Sequence, residues 1–220
     1  PDAVALAQHI ESLNLPLADP RVYLTLALDD EFTQQKAHGA KDLVDATFRV
    51  APAGVEAAFV AAQKVDLDRK HKQAKDVVKV AAGMALAVGA VPIPMADAGV
   101  LVPIQLGMMA KIAAIYGVKM ETATIAATVA TTAATAAGRS AAVSLIKLIP
   151  GAGWVVGGTI SAAVASTFTF AVGYAWATVC GELTQGRLKG ADGALDTELV
   201  RKLFTEQFAA WFKKDGSKKP

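Results

Sequence analysis

Few residues of this chain have the types and spacing that catalysis requires. Cys180 is the only cysteine, and the three histidines, His9, His38 and His71, are scattered through charged or loop-forming sequence. Neither the spacing of a zinc site nor a thiol nucleophile with a neighbouring base is present. No pair of carboxylates is placed for general acid–base work. The sequence therefore predicts a chain that is not an enzyme, with Asp97 or Cys180 as distant catalytic alternatives.

Two glycine patterns bear on nucleotide binding. Gly151-x-Gly153-x-x-x-Gly157 is similar to a dinucleotide-binding loop, but its surroundings predict helix–turn–helix and no acidic residue follows about 20 positions later. No Gly-x-x-x-x-Gly-Lys-Ser/Thr loop occurs, and Asn14 is the only asparagine, so there is no Asn-Lys-x-Asp motif to read guanine. We expect no cofactor in this chain, and GTP with magnesium only if a G domain lies upstream.

Charge is distributed very unevenly along the 220 residues. The chain has 22 basic and 20 acidic side chains, but residues 80–181 contain only six of them, namely Asp97, Lys111, Lys119, Glu121, Arg139 and Lys147. A net charge of +2 argues against a nucleic-acid partner. The apolar fraction of 53% excludes disorder for most of the chain. Two classes remain, an alanine-rich helical globule and a protein that contacts lipid.

Small residues recur at every fourth position of the uncharged stretch 148–181. Such a row lets helix backbones approach closely and is typical of transmembrane interfaces, although alanine-rich helices also pack tightly in soluble bundles. The stretch exceeds the ~20 apolar residues that a spanning helix needs. We expect this packing row and two tryptophans to contact other helices or lipid. These residues are Gly153, Gly157, Ser161, Ala165, Trp154 and Trp176.

A basic segment precedes an apolar one. Its cations predict either an electrostatic collar beside an anionic membrane or a solvated helix face with pairs such as Asp68–Lys72. Downstream, Val91-Pro92-Ile93-Pro94 breaks the helix, and Asp97 caps the next one or serves as a functional carboxylate. Pro92, Pro94 and Asp97 are the predicted tip of an apolar helical hairpin. The residues of the basic collar are Lys64, Arg69, Lys70, Lys72, Lys75 and Lys79.

Hydrophobic periodicity predicts a mainly α fold, an Ala/Gly-rich helical bundle with apolar hairpins. One N-terminal strand is predicted at residues 22–28, because this segment contains β-branched and aromatic residues. A final amphipathic helix carries an apolar stripe from Leu195 to Phe212, which packs on the bundle or lies at a lipid boundary. The predicted helices are 3–13, 41–50, 55–80, 98–116, 120–148, 154–180 and one that starts at 196.

The run from Gly89 to Gly117, GAVPIPMADAGVLVPIQLGMMAKIAAIYG, resembles the signature of the YcjF-like domain. This domain of uncharacterised function often follows a small bacterial G domain. Gly138-Arg139 and the segment 145–153 resemble its second half, so the resemblance covers about residues 55–185. By the same resemblance, residues 1–54 look like the last helix–strand–helix of a G domain. Leu24-Thr-Leu-Ala27 would then form the guanine-contact loop, with the amide near Ala27 touching the base.

The resemblance implies a G-domain remnant at 1–54, a YcjF-like apolar domain at 55–185, and a C-terminal amphipathic helix with a basic tail at 186–220. We expect the C-terminal part of a larger GTPase, or a degenerate relative, at the cytoplasmic side of a bacterial inner membrane. Its role would be to couple nucleotide state to docking on lipid, an upstream G domain, a protein partner or a second copy. The alternatives are a soluble interaction bundle and a membrane-inserting pore-forming effector.

Overall fold

Residues 2–89, 97–148 and 162–215 are described by a computed structural model, and they confirm the mainly α fold. The chain divides into two compact units, residues 1–67 and 68–220, whereas the division at 54 and 185 stays a prediction. The helices of the described residues are α1 (Asp2–Ser12), α2 (Ala40–Val50), α3 (Glu56–Ala62), α4 (Leu67–Gly89), α5 (Asp97–Tyr116), α6 (Met120–Leu148), α7 (Ala162–Thr184) and α8 (Thr197–Asp215).

The first unit is held by a polar cluster around Asp19. Its carboxylate accepts hydrogen bonds from Arg21 at 2.8 and 2.9 Å, from the Tyr23 hydroxyl at 2.7 Å and from Arg49 at 3.3 Å. These donors, Arg21 foremost, hold the pKa of the Asp19 carboxyl far below its usual range. The cluster ties the segment between α1 and α2 to α2, since Arg49 lies in the last turn of that helix.

The strand predicted at residues 22–28 is not formed. In the described chain this segment pairs only through an isolated bridge, in which the Leu26 and His38 backbones exchange hydrogen bonds of 2.9 and 3.0 Å. Gly39 follows with φ 75°, and a Cβ there would lie 1.9 Å from the Leu24 carbonyl oxygen. Because this left-handed residue turns the chain directly into α2, the pairing cannot extend beyond one bridge.

The single helix predicted at 55–80 is two helices, because the backbone leaves the helical path between Gln63 and Asp66. The Gln63 side chain replaces the missing helical hydrogen bonds. Its Oε1 accepts from the amides of Val65 at 2.9 Å and Asp66 at 2.7 Å, and its Nε2 donates to the Asp66 carbonyl at 3.0 Å. α4 then continues to Gly89, through the apolar residues that precede the predicted break at 91–94.

The second unit is built around α7. This helix packs against α5, α6 and α8, and its inner face of small residues allows close approach. The most crowded contact is at Gly173, which lies against Val78 of α4 and Met108 of α5. Trp176 is fully buried and its Nε1 donates to the Met109 carbonyl at 2.8 Å. Cys180 is buried in the same core.

Two helix ends follow the predictions. α5 stops at Gly117, which has φ 67°, and the amide of Val118 donates to the Ala113 carbonyl at 3.0 Å, as in a glycine-terminated helix. α8 begins after Asp196, whose Oδ1 accepts from the amides of Glu198 and Leu199 at 3.0 Å. The stripe of α8 then packs on the bundle through buried residues such as Phe204 and Phe208.

Candidate functional site

The packing row lies partly outside the described residues, because Gly153, Trp154, Gly157 and Ser161 fall in the stretch 149–161. Of its remaining members, Ala165 is buried with Ala85 and Leu101, and Trp176 is in the core. These two contact neighbouring helices of the same chain. No lipid contact is available to either of them while the bundle is closed.

The predicted hairpin tip is likewise only partly described. Pro92 and Pro94 fall outside the described residues, and Asp97 is the first residue of α5. Ala27, the proposed guanine-contact position, is exposed in the turn that follows the Leu26–His38 bridge. Its role stays a prediction.

The basic collar differs from the predicted one at Lys70. Lys64 belongs to the first unit, and the other members lie on the first half of α4. Lys72, Lys75 and Lys79 are exposed, and Lys79 pairs with Asp76 at 2.9 Å. Lys70 is 0% exposed, so it cannot face a membrane surface. The exposed collar of α4 is therefore Lys72, Lys75 and Lys79, with Arg69 half-buried.

Lys70 instead lies in a group of side chains around Tyr116, at the end of α5, which we call the Tyr116 junction. Its Nζ donates to the Tyr116 carbonyl at 3.2 Å, and the Thr184 hydroxyl donates to the same oxygen at 3.0 Å. A cation near the carbonyl end of a helix is favourable. The Tyr116 hydroxyl lies 3.2 Å from His71 Nδ1. Burial raises the pKa of Tyr116 well above its usual range, so its hydroxyl stays protonated.

This junction predicts a pH-dependent stability. Burial, reinforced by Lys75 and opposed by Asp68, holds the pKa of the His71 ring below its ordinary value of 6.5. The unfolded chain therefore binds a proton that the folded chain resists, and the contribution of His71 is lost as the pH falls below about 6.5. We expect the urea midpoint to drop between pH 7.5 and 5.5 more in the wild type than in His71→Gln. Equal drops would contradict this role of His71.

α4 and α5 form an antiparallel pair. Lys70, near the start of α4, contacts Tyr116 at the end of α5, whereas Ala85, near the end of α4, packs with Leu101 near the start of α5. The residues on either side of the undescribed segment 90–96 therefore lie at the same end of the pair. Charged and apolar residues that are separated along these two helices therefore lie at opposite ends of the pair.

Charge is segregated along this pair. The charged residues of α4 end at Lys79, and the only charged residue before Lys111 is Asp97. We call the half of the pair formed by residues 80–89 and 97–110 the apolar end. It presents large apolar side chains that are 43% to 58% exposed, and these are Val80, Met84, Leu86, Val100, Val102 and Leu106. An exposed apolar group of this size, bordered by cations, is typical of an interaction surface.

Threonine hydroxyls on the exposed face of α6 donate to carbonyls of the same helix. On α6, Thr124 donates to the Met120 carbonyl at 2.8 Å, Thr128 to the Thr124 carbonyl at 2.9 Å and Thr132 to the Thr128 carbonyl at 2.8 Å. These three side chains are exposed. Because their hydroxyls already have partners, the face of α6 that carries them needs no hydrogen bond from water.

A family model, described as "Domain of unknown function (DUF697)", matches residues 56–208. This match covers well over half of the chain. The chain belongs to the DUF697 family. The matched residues include α3 to α7, the basic collar on α4, the apolar end and most of α8.

Beyond the family, the chain is similar to a curated protein described as "Magnetosome membrane protein 22" from Magnetospirillum gryphiswaldense (strain DSM 6361 / JCM 21280 / NBRC 15271 / MSR-1). The two are 33% identical over 104 residues, which is 46% of this chain and 53% of that protein. The chain thus spans about half the length of this relative. No solved structure matches the chain.

Sequence reasoning missed the Tyr116 junction of this DUF697 chain. It joins Lys70 and His71 of α4 to Tyr116, 46 and 45 positions away. Local hydrophobic periodicity does not predict contacts between residues so far apart in sequence. The signal that was present is Lys70-His71 interrupting the apolar positions of α4. Within residues 2–89, 97–148 and 162–215, no three His, Cys, Asp or Glu side chains are grouped to hold a metal ion.

Proposed function

We propose that this chain is a membrane-associating helical module that docks by inserting its apolar end into a bilayer, with the exposed collar of α4 at the lipid headgroups. The segregation of charge along the α4–α5 pair carries this proposal. The apolar end, whose only charged residue is Asp97, exposes large apolar side chains, and cations lie where the headgroups would be. A surface that inserts shallowly into a leaflet needs this order of apolar and cationic residues.

The expected energies favour docking. Transfer of a fully exposed Val or Leu side chain from water to an apolar phase is worth ~1.5–3 kcal/mol. Several side chains that are about half exposed therefore supply a few kcal/mol, and each cation near an anionic surface adds ~1 kcal/mol. Both contributions act in the same orientation, because Lys72, Lys75 and Lys79 precede the apolar end on the same helix.

α7 is not the element that we propose to enter the bilayer. In the described chain it is the one helix long and apolar enough to cross a membrane, but more than half of its most apolar window is buried inside the bundle. Its apolar character is accounted for by its central position, where it packs on α5, α6 and α8. Docking through the apolar end leaves this core intact.

We propose a YcjF-like module that follows a G domain at the cytoplasmic face of a bacterial inner membrane, has no catalytic role and binds no nucleotide of its own. The support is the sequence signature from Gly89 to Gly117 and the two helices at 2–12 and 40–50, which lie where the resemblance to a G domain implies them, although the strand between them is not formed. The related magnetosome protein is described as a membrane protein, which supports association with a membrane.

Liposome flotation of the purified chain tests the proposal. We expect the chain to float with vesicles containing phosphatidylglycerol and to stay bound in high salt, because salt screens charge but not apolar burial. Release by salt alone would reduce the interaction to the basic collar. A chain that stays at the bottom of the gradient as a monodisperse species would contradict docking and favour the soluble interaction bundle, which the buried α7 also supports. Dye release from intact vesicles would favour the pore-forming alternative.

Two substitutions in the apolar end should weaken flotation strongly. Val102→Glu and Leu106→Glu each replace a side chain that is half exposed, so the bundle should fold, but each puts a charge where lipid is expected. We expect each to lower the partition coefficient at least tenfold, because the lost transfer energy and the added cost of a buried carboxylate both oppose binding. Leu199→Glu, at an exposed leucine of α8, is the matched control and should float normally.

A further inference from the structure

A groove of about 800 Å³ lies on the second unit, between α4, α7 and α8. Its floor is α7, and its walls come from α4 on one side and α8 on the other. α4 runs antiparallel to α7, since Val78 contacts Gly173 and Ala85 packs with Ala165. The groove therefore follows α4 from its charged half to the apolar end.

One end of the groove is cationic. His71 and Lys75, one turn apart on α4, line it beside Thr178 of α7. Lys75 makes no ion pair with any residue that the structure describes, whereas Lys79 is held by Asp76. Lys72, on the same turn of α4, is exposed but does not line the groove. An anionic group placed here would meet one available ammonium and a neighbouring imidazole.

Aromatic and aliphatic side chains line most of the rest of the groove, together with Ser166, Thr167 and Gln207. Phe170 stacks on Tyr174 with ring centroids 6.2 Å apart, and on Trp211 of α8 with centroids 6.1 Å apart. This aromatic row leads away from Lys75 towards Leu86 and Ala163, which line the far end. From His71 to Leu86 the helix rises roughly 22 Å. One leaflet of a bilayer has about 15 Å of hydrocarbon, so an acyl chain fits within this length.

We propose that the groove binds one anionic phospholipid, with its phosphate at Lys75 and His71 and an acyl chain along Phe170 and Trp211 towards Leu86. Two observations select this ligand. The cationic and apolar ends of the groove match the head and tail of such a lipid. The direction from the cationic end to the apolar end is also the same in the groove as in the α4–α5 pair. A lipid of the leaflet that receives the apolar end would already have this orientation. The inference therefore rests on the proposed function and deepens it.

Fluorescence quenching with a dispersed lipid tests this site directly. The full chain is titrated with a short-chain phosphatidylglycerol whose acyl chains are brominated, below its critical micelle concentration. The measurement is made in a Trp154→Phe background, which leaves Trp176 and Trp211 as the fluorophores. We expect saturable quenching that is largely absent when Trp211→Phe is added, because Trp176 is buried outside the groove. The equivalent phosphatidylcholine, which has no net charge, should require a higher concentration.

Two matched pairs of variants locate the ligand. Lys75→Gln should raise the half-saturating concentration about fivefold, the effect of one cation near a lipid phosphate, while Lys72→Gln should not. Ala210→Phe fills the groove and should abolish quenching, while Ala209→Phe, at the neighbouring exposed alanine of α8, should not. No quenching, or quenching that is equal in both members of each pair, would overturn the site and indicate that another part of the chain or a protein covers the groove.

This result is separable from that of the docking proposal. Saturable quenching of Trp211 by dispersed lipid, without flotation on vesicles, would retain the groove site and reject insertion of the apolar end. Flotation that depends on Val102 and Leu106, without quenching of Trp211, would retain docking and reject the groove site.

Discussion

Replacing Trp176 by alanine should lower the free energy of unfolding by about 3–5 kcal/mol, the loss typical of a buried tryptophan. The side chain is 0% exposed and lies where α7 meets α5. Much of the rest of the core is alanine, which cannot move in to fill the space that the indole leaves. We expect this effect in urea unfolding followed by circular dichroism, since the substitution also removes a fluorophore.

Trp176→Phe is the matched control for the hydrogen bond. It keeps most of the apolar volume but removes Nε1, which donates to the Met109 carbonyl at 2.8 Å. That carbonyl belongs to the interior of α5 and accepts within its own helix as well, so we expect a loss of only about 1–2 kcal/mol. If alanine cost no more than phenylalanine at this position, Trp176 would not be the centre of the core.

Gly173→Ala should destabilise the protein by about 1–3 kcal/mol, although alanine is the better helix former. A Cβ at this position would lie 2.5 Å from Val78 Cγ2 and 2.9 Å from Met108 Sδ. Val78 is itself fully buried between the helices, so it cannot move aside without displacing α4. The thermal midpoint and the urea midpoint should both fall.

Gly181→Ala provides the opposite result in the same helix. Its Cβ would meet only Tyr116 Cε1, at an ordinary 3.6 Å, so the helix propensity of alanine should give up to about 1 kcal/mol of added stability. The steric account also predicts that Val78→Ala makes Gly173→Ala less harmful, which a double-mutant cycle would measure. Equal effects of Gly173→Ala and Gly181→Ala would contradict the close contact of α7 with α4.

The positions of most helices could be predicted because their signals are local. Gly117 ends α5 and Asp196 caps α8 through contacts within a few residues, and such contacts are encoded by residue type and spacing. The break at Gln63 could not be predicted in this way, because a glutamine side chain replaces backbone hydrogen bonds without any proline or glycine to mark it. The absence of a strand at residues 22–28 could not be predicted either. A strand needs a pairing partner as well as suitable residue types, and Gly39 turns the chain away after the single bridge at Leu26.

In the candidate site too, only the local features could be predicted from the sequence. The run between Lys79 and Lys111, in which Asp97 is the only charged residue, is visible in the sequence, and so is the basic segment before it. Their placement at two ends of one helix pair, and the burial of Lys70, require the contact of α4 with the end of α5. The groove was not predicted, because Lys75 and Trp211 meet across it from positions more than a hundred residues apart.

The buried thiol of Cys180 makes transient opening of the helical bundle measurable. Burial raises the pKa of this thiol well above its ordinary value, and only an exposed thiolate reacts readily with an alkylating reagent. Because the chain has one cysteine, its rate of alkylation under native conditions reports how often the interior opens. Vesicles that receive only the apolar end leave this rate unchanged, whereas a membrane that pulls α7 away from its neighbours accelerates it.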